Sequence, residues 1–254
     1  LRTLEIETVC DVGSMDGSDA LLFRRMLPRA RILALEANPR NFAHMEADEN
    51  LRRSAIRIVP FAATDNDSQA PFFVARADYR KGHDRFRRGM SSLHNRADDS
   101  RLLEVVQVRT VRLDNLLAAE SLVDRPVALC IDTEGMAFEV ICGARRSLRF
   151  VRMLHVEVEI EPIIGANQKL FPDVERVLAE AGFAVLATDQ VPERATVARA
   201  RHLVACVDVS TSADSTHAWH GLVAGPAADH ESEARSMTRG IRHPPTPVRD
   251  RDLE

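Results

Sequence analysis

Apolar positions recur along this chain in two periods, and the order in which those periods alternate predicts the fold. Thr8–Val12, 31–36 and 56–61 are hydrophobic runs of strand length bounded by turn residues. Between the first two, 19–27 carries Leu21, Leu22, Met26 and Leu27 on a helical stripe. Between the second and third, 39–51 predicts a helix with Pro39 at its first position. The alternation resumes downstream. The near-continuous apolar run 127–132 suits a central parallel strand, and 137–148 predicts the helix that follows. Residues 153–159 alternate, 172–181 are helical with Gly182 as the stop, and 184–187 and 202–209 predict the last strands. Strand–helix alternation of this kind predicts an α/β fold, a doubly wound, mostly parallel Rossmann-like sheet with helices on both faces.

Two stretches break the rhythm. Residues 75–101 are polar, rich in arginine and interrupted by Gly82 and Gly89. A structureless excursion of that length is usually functional, and it leaves and rejoins the sheet where it can reach over the carboxyl edge, so a mobile lid is expected there. The flanking runs 71–74 and 105–111 predict a side hairpin. Beyond Asp208 the chain turns to Ser, Thr, Ala, His, Pro and Arg, so a domain at 1–209 is expected ahead of a disordered tail at 210–254.

Composition narrows the function. The 254 residues are 45% hydrophobic and 28% charged with a net charge of -4, which argues against a strongly basic nucleic-acid binder. No apolar run approaches the ~18 residues of a membrane span, and Leu1 opens no signal peptide, so a cytoplasmic protein is expected. Cys10, Cys130, Cys142 and Cys206 are scattered without a C-x-x-C spacing and read as reduced, buried thiols. Of the basic residues only Lys81 and Lys169 are lysines, a bias that coding composition explains as well as phosphate recognition does.

Three motifs carry chemistry. In Asp11-Val12-Gly13-Ser14-Met15-Asp16-Gly17 a strand enters a turn with glycines four apart and then a helix, which lets backbone approach a ligand closely. The spacing is neither G-x-G-x-x-G nor a P-loop, and the acid two positions before Gly13 suits a cationic amino group. Glu36, at the tip of the second strand, is placed to accept hydrogen bonds from ribose hydroxyls. Asp132, with Glu134 and Gly135, ends the apolar run at the carboxyl edge, where burial of an acid implies partners. His155, Glu157 and Glu159 follow on one face of the next strand.

These residues together resemble the FkbM family of class I S-adenosylmethionine-dependent methyltransferases. The resemblance runs over roughly 8–160 and is carried by Asp11-Val12-Gly13 with Gly17, Glu36-Ala37-Asn38-Pro39 with Phe42, and Met90-Ser91-Ser92-Leu93. It continues through Val111-Arg112-Leu113-Asp114-Asn115-Leu116, Ile131-Asp132-Thr133-Glu134-Gly135 with Glu139 and Gly143-Ala144, and Val156-Glu157. Ser14-Met15-Asp16 departs from the family's A-N-x, and Cys130 stands where a lysine is usual. Little chain precedes the first strand, so the expectation is a truncated product or a site completed by a second subunit, that is, a homo-oligomer.

The resemblance implies an S-adenosylmethionine-dependent O-methyltransferase acting on a sugar or natural-product hydroxyl. The donor site it implies is Asp11 at the amino group and Gly13, Ser14 and Gly17 around the methionine end. Glu36 and Ala37 would sit at the ribose, Ala62 and Ala63 beside adenine, with Asp132 at the same edge. Asp132, Glu157, His94 and His155 are the candidate proton acceptors, with His94 carried in by the lid and Arg80, Arg85, Arg87 and Arg88 at its rim. Asp132, Glu134 and Glu157 would suit magnesium, but solvated acids or substrate hydrogen bonds are the preferred reading and no metal is assigned. The alternatives are a non-catalytic or RNA-directed S-adenosylmethionine-binding protein and a nicotinamide-dependent reductase. The glycine spacing counts against the reductase and the two aromatics of the lid, Tyr79 and Phe86, are too few for the RNA-directed reading, while Cys130 in place of the lysine and the short N-terminus leave the non-catalytic reading open.

Overall fold

The protein was obtained as a computed structural model that describes residues 5–77, 85–96, 101–165, 167–190 and 200–206. The described residues all belong to one unit, Leu1–Val209. The expected tail at 210–254 lies outside them.

The first half-fold follows the hydrophobic pattern closely. β1 (Thr8–Val12) leads into α1 (Ser18–Met26), β2 (Arg31–Leu35), α2 (Pro39–Ala47), α3 (Glu49–Arg53) and β3 (Arg57–Val59). One helix was expected over 39–51 and two form. The Asp48 carboxylate accepts the amides of Asn50 and Leu51, and its extended backbone caps a new helix rather than continuing the old one. β4 (Ala62–Ala63), too short for any periodic signal, pairs in parallel with β6 (Leu102–Val111). β6 also pairs antiparallel with β5 (Ser68–Ala75), giving the expected hairpin as part of a three-stranded side sheet. Within 75–101 the described residues are not structureless. They form α4 (Arg85–Gly89) and a bridge between Ser92 and Phe73.

The second half comprises α5 (Leu113–Ala119), β7 (Val127–Ile131), α6 (Ala137–Gly143), β8 (Val151–Glu159), α7 (Phe171–Glu180), β9 (Ala184–Gln190) and β10 (Ala200–Cys206). α6 stops five residues before the expected end. Buried Asp114 draws the amides of Arg146 and Ser147 and the Ser147 hydroxyl into a turn, and Gly143 lies where a Cβ would meet the Thr64 carbonyl at 1.9 Å.

The main sheet has the order β3-β2-β1-β7-β8-β10-β9, parallel except that β10 runs antiparallel to both neighbours. β1 and β7 are bare of polar residues but for Thr8 and Asp11, as strands covered on both sides must be. α5, α6 and α7 pack their apolar faces with Cys10, Val12, Leu129, Ile131, Leu154 and Val156 into the main core. α1 and α2 pack on β1–β3. The strand order reverses between β1 and β7, which opens a crevice at their carboxyl ends.

Candidate functional site

The crevice is closed at its base by backbone. Gly13 turns the chain out of β1 at φ 87, and a Cβ on it would lie 1.8 Å from the Asp132 carbonyl oxygen. Only glycine lets the β1 turn rest on the tip of β7. The Gly13 and Ser14 amides both donate to the Leu35 carbonyl, and the Asp132 amide donates to Val12. The tips of β2, β1 and β7 are thereby tied together. Gly17, also left-handed, opens α1 against the Leu51 side chain.

Two carboxyls lie in this crevice, and both are buried. Asp11 is 4% exposed and accepts the Ser14 hydroxyl at 2.6 Å. Glu36 is 6% exposed and accepts the amides of Met15 and Asn38, each at 2.7 Å. Burial pushes both up to about 7. Among the described residues no ion pair reaches either, so each is an acid held ready for a polar or cationic partner. Ala37 packs with Ala62 beside Phe72 and Val74. Ala63 faces the main core instead, so the two alanines expected at one ligand face point apart.

A second acidic group stands further along the edge. Asp132 is exposed, not buried as its apolar run suggested, because β7 ends at Ile131 and the carboxylate leaves the sheet. It follows Ile131, which pairs with Val156, and so stands beside Glu157 of β8; burial pushes Glu157 up to about 7 while Asp132 draws it down. Glu159 accepts the Gly135 amide at 2.9 Å and is likewise raised to about 7 by burial. Burial raises Glu134 to about 6 against the pull of Arg96, which it meets at 2.5 Å. Asp11, Cys130 and His155 lie in one row across β1, β7 and β8, with His155 Nδ1 3.4 Å from Cys130 Sγ. Burial holds that thiol far above its ordinary range. Cys10 and Cys130 are buried and free, and Cys142 is half-buried and free. The Cys206 side chain lies outside the described residues.

Residues 85–96 form a strap over the crevice. His94 Nε2 lies 3.2 Å from the Gly135 carbonyl and its ring packs on Gly165, so the ring is half-buried, donates from Nε2, and burial lowers its pKa. The Ser92 hydroxyl donates to the Glu134 carbonyl at 2.6 Å. Of the arginines expected at the rim, Arg87 is exposed, whereas Arg88 is 6% exposed and bonds Asn41. Arg88 turns inward because buried Asn41 offers it an acceptor that solvent does not reach. The side chains of Arg80 and Arg85 lie outside the described residues.

The structure thus gathers Asp11, Gly13, Ser14, Gly17, Glu36 and Asp132 at one crevice, places Glu157 beside Asp132, and sets His94 and Glu134 at the far end. Asn38, Asn41, Arg88 and Arg96 also converge there. No local sequence signal marks Asn41 or Arg96, since each meets a partner from a distant element, whereas Asn38 belongs to the Glu36-Ala37-Asn38-Pro39 motif and Arg88 was expected at the rim. Among the described residues no three His, Cys, Asp or Glu side chains group to hold a metal ion, so the trio of Asp132, Glu134 and Glu157 forms no such set.

The seven-stranded sheet of this order with an antiparallel β10, the glycine turn after β1 and the acid at the tip of β2 agree with the class I S-adenosylmethionine-dependent methyltransferase fold that the motifs implied. The chain matches the Methyltransferase FkbM domain over residues 11–185 and belongs to that family. Among solved structures it is similar to the precorrin-6y C5,15-methyltransferase of Geobacter metallireducens GS-15 (14% identity, 79% of each chain, TM-score 0.40). It is also similar to magnesium protoporphyrin IX methyltransferase from Synechocystis PCC 6803 with bound S-adenosylmethionine (14% identity, 82% of this chain and 73% of that one, TM-score 0.44). A third is the Burkholderia thailandensis 1,6-didemethyltoxoflavin-N1-methyltransferase with bound S-adenosylhomocysteine (13% identity, 81% and 72%, TM-score 0.40). The curated proteins give no match. Among the described residues no helix is long and apolar enough to cross a membrane.

Proposed function

We propose that this S-adenosylmethionine-dependent methyltransferase methylates a hydroxyl oxygen of a small molecule, a sugar or natural product, with the Asp132–Glu157 pair as the proton acceptor. The observation that carries the reading is the pair of neighbouring carboxyls that follow the paired Ile131 and Val156 of β7 and β8, one strand from the Gly13 turn. When bound, S-adenosylmethionine supplies a methyl group on a positively charged sulfur. The buried acids fit such a donor. Asp11 would hold its ammonium group, which would return that carboxyl to the ionised form, and Glu36 would accept from its ribose hydroxyls. Gly13 and Ser14 wrap the methionine end, Gly17 lets backbone come close, and Ala37 and Ala62 offer an apolar flank.

The acceptor hydroxyl must be oriented for in-line attack and relieved of its proton. A Glu157 carboxyl near 7 accepts a proton at neutral pH and returns it readily to water. Asp132, exposed beside it, shares the charge. His94 is bonded to the Gly135 carbonyl through Nε2 and acts here as an orienting group of the strap.

The test is release of S-adenosylhomocysteine across a panel of hydroxylated acceptors. Glu157→Gln should cut turnover by about 10²–10⁴-fold, the span of a general base, with calorimetric S-adenosylhomocysteine affinity unchanged. Because the base must be deprotonated, the wild-type rate should rise with pH and level off above 7. A Glu157→Gln enzyme that turns over at the wild-type rate removes the reading.

A further inference from the structure

The strap and Glu36 are linked through hydrogen bonds that can be followed atom by atom. Each oxygen of the Glu36 carboxylate accepts a backbone amide, Oε2 that of Met15 and Oε1 that of Asn38, both at 2.7 Å. Both of those residues touch the strap. Gly89 lies against Met15, where a Cβ would be 3.5 Å from the sulfur, and Asn38 Nδ2 donates to Ser91 Oγ at 3.1 Å. Met15 turns its amide toward Glu36 from a left-handed backbone, φ 52, which a residue with a side chain adopts rarely.

Asn38 is the firmer of the two links. It is fully buried, and its side chain works in two directions. Oδ1 accepts the Arg40 amide at 3.0 Å and so caps α2, while Nδ2 reaches the strap. A backbone N–H only donates, so the Arg40 contact fixes which end of the side-chain amide is oxygen and leaves the nitrogen for Ser91. Ser91 Oγ also accepts the Ala75 amide at 3.0 Å, which ties the same hydroxyl to the side sheet. Asn41 and Arg88 exchange two further bonds, so the strap is seated on the first turn of α2 at two places. Ser92 bonds the Glu134 carbonyl instead. Two adjacent serines thus serve opposite ends of the crevice, Ser91 the β2 end and Ser92 the β7 end.

We propose that Asn38, anchored by Ser91, is a positioning residue that holds the Glu36 carboxylate against the donor ribose, so that the strap contributes to donor affinity through Ser91. This rests on Glu36 being the ribose ligand. The Asn38 amide takes one carboxylate oxygen, and the Asn38 side chain fixes that amide between the end of α2 and the strap. Without the strap bond, one of the two donors that set the direction of the carboxylate is held from one side only.

Calorimetric titration with S-adenosylhomocysteine and with its 2′-deoxy analogue tests this on wild type, Ser91→Ala, Asn38→Ser and Glu36→Gln. Wild type should favour S-adenosylhomocysteine by roughly 10–100-fold, the worth of a hydrogen bond to a charged group. Ser91→Ala and Asn38→Ser should each narrow that preference by about fivefold, one ordinary hydrogen bond, with affinity for the deoxy analogue unchanged. Serine still caps α2 but is too short to reach Ser91, so Asn38→Ser removes the strap bond alone and carries the test if Ser91→Ala does not fold. Folded variants that keep the wild-type preference, or that lose affinity equally for both ligands, overturn the positioning role. A Glu36→Gln protein that keeps the full preference overturns the ribose assignment itself, a separate result.

Discussion

At Gly13 the missing side chain is the functional feature. The site of its absent Cβ is 1.8 Å from a backbone oxygen of the neighbouring strand, and φ is 87. Backbone cannot step aside as a side chain can. Gly13→Ala should therefore part β1 from β7, lowering stability by ~2 kcal/mol or more in urea denaturation and abolishing S-adenosylhomocysteine binding. At Gly17, φ 77, the nearest atoms to an added Cβ are those of the flexible Leu51 side-chain tip, at 2.7 Å, so Gly17→Ala should cost less than Gly13→Ala in the same assay. Both glycines, Asp11 and Glu36 were legible because a strand, a turn and an acid lie within a few residues of one another. Asn41 and Arg88 were not, since each matters only through a partner 47 residues away.

Between elements, the strap is held to the β7 turn by Ser92, with Arg96 and His94 beside the same contact. Ser92 is 3% exposed, and its oxygen both donates to the Glu134 carbonyl and accepts the His94 amide. Ser92→Ala leaves both groups short of a partner, at a cost of about 1–3 kcal/mol. The strap should then open locally, with faster tryptic cleavage after Arg96 and a raised KM for the acceptor, while Kd for S-adenosylhomocysteine stays at its wild-type value. Unchanged cleavage would mean that the other contacts hold the strap unaided. The hydrophobic pattern located the elements on either side of the strap. It was silent on the strap because polar residues without a period give no face to bury.

For the molecule as a whole, buried acids set the response to pH, four of them raised to about 7 and Glu134 to about 6. Asp11, Glu36, Glu157 and Glu159 are each pushed up to about 7, chiefly by burial, from ordinary values of 3.8 or 4.5. Between about pH 4.5 and 7 the folded chain binds more protons than the unfolded one. Their contribution to stability is therefore greatest at the acid end of that window and declines as pH rises through 7. The ligand-free protein should melt at a higher temperature at pH 5.5 than at pH 8 by differential scanning calorimetry. A Tm that is level or rises over that range would show that these carboxyls are not buried in solution.

What the sequence determined by itself was the succession of strands and helices along the chain and the acids and glycines at the strand tips, whereas the reversal of strand order between β1 and β7 came from the folded sheet. The sequence-determined features follow from periods of two and 3.6 residues and from turns a few residues long, which are local properties of the chain. The tertiary structure alone decided that 39–51 breaks at Asp48, that Arg88 turns inward and Asp132 outward, and that Ala62 and Ala63 face different neighbours. It also decided which carboxyls titrate near neutrality. Each of these depends on what a distant segment leaves within hydrogen-bond reach or shields from water, and no local pattern in the chain records that distance.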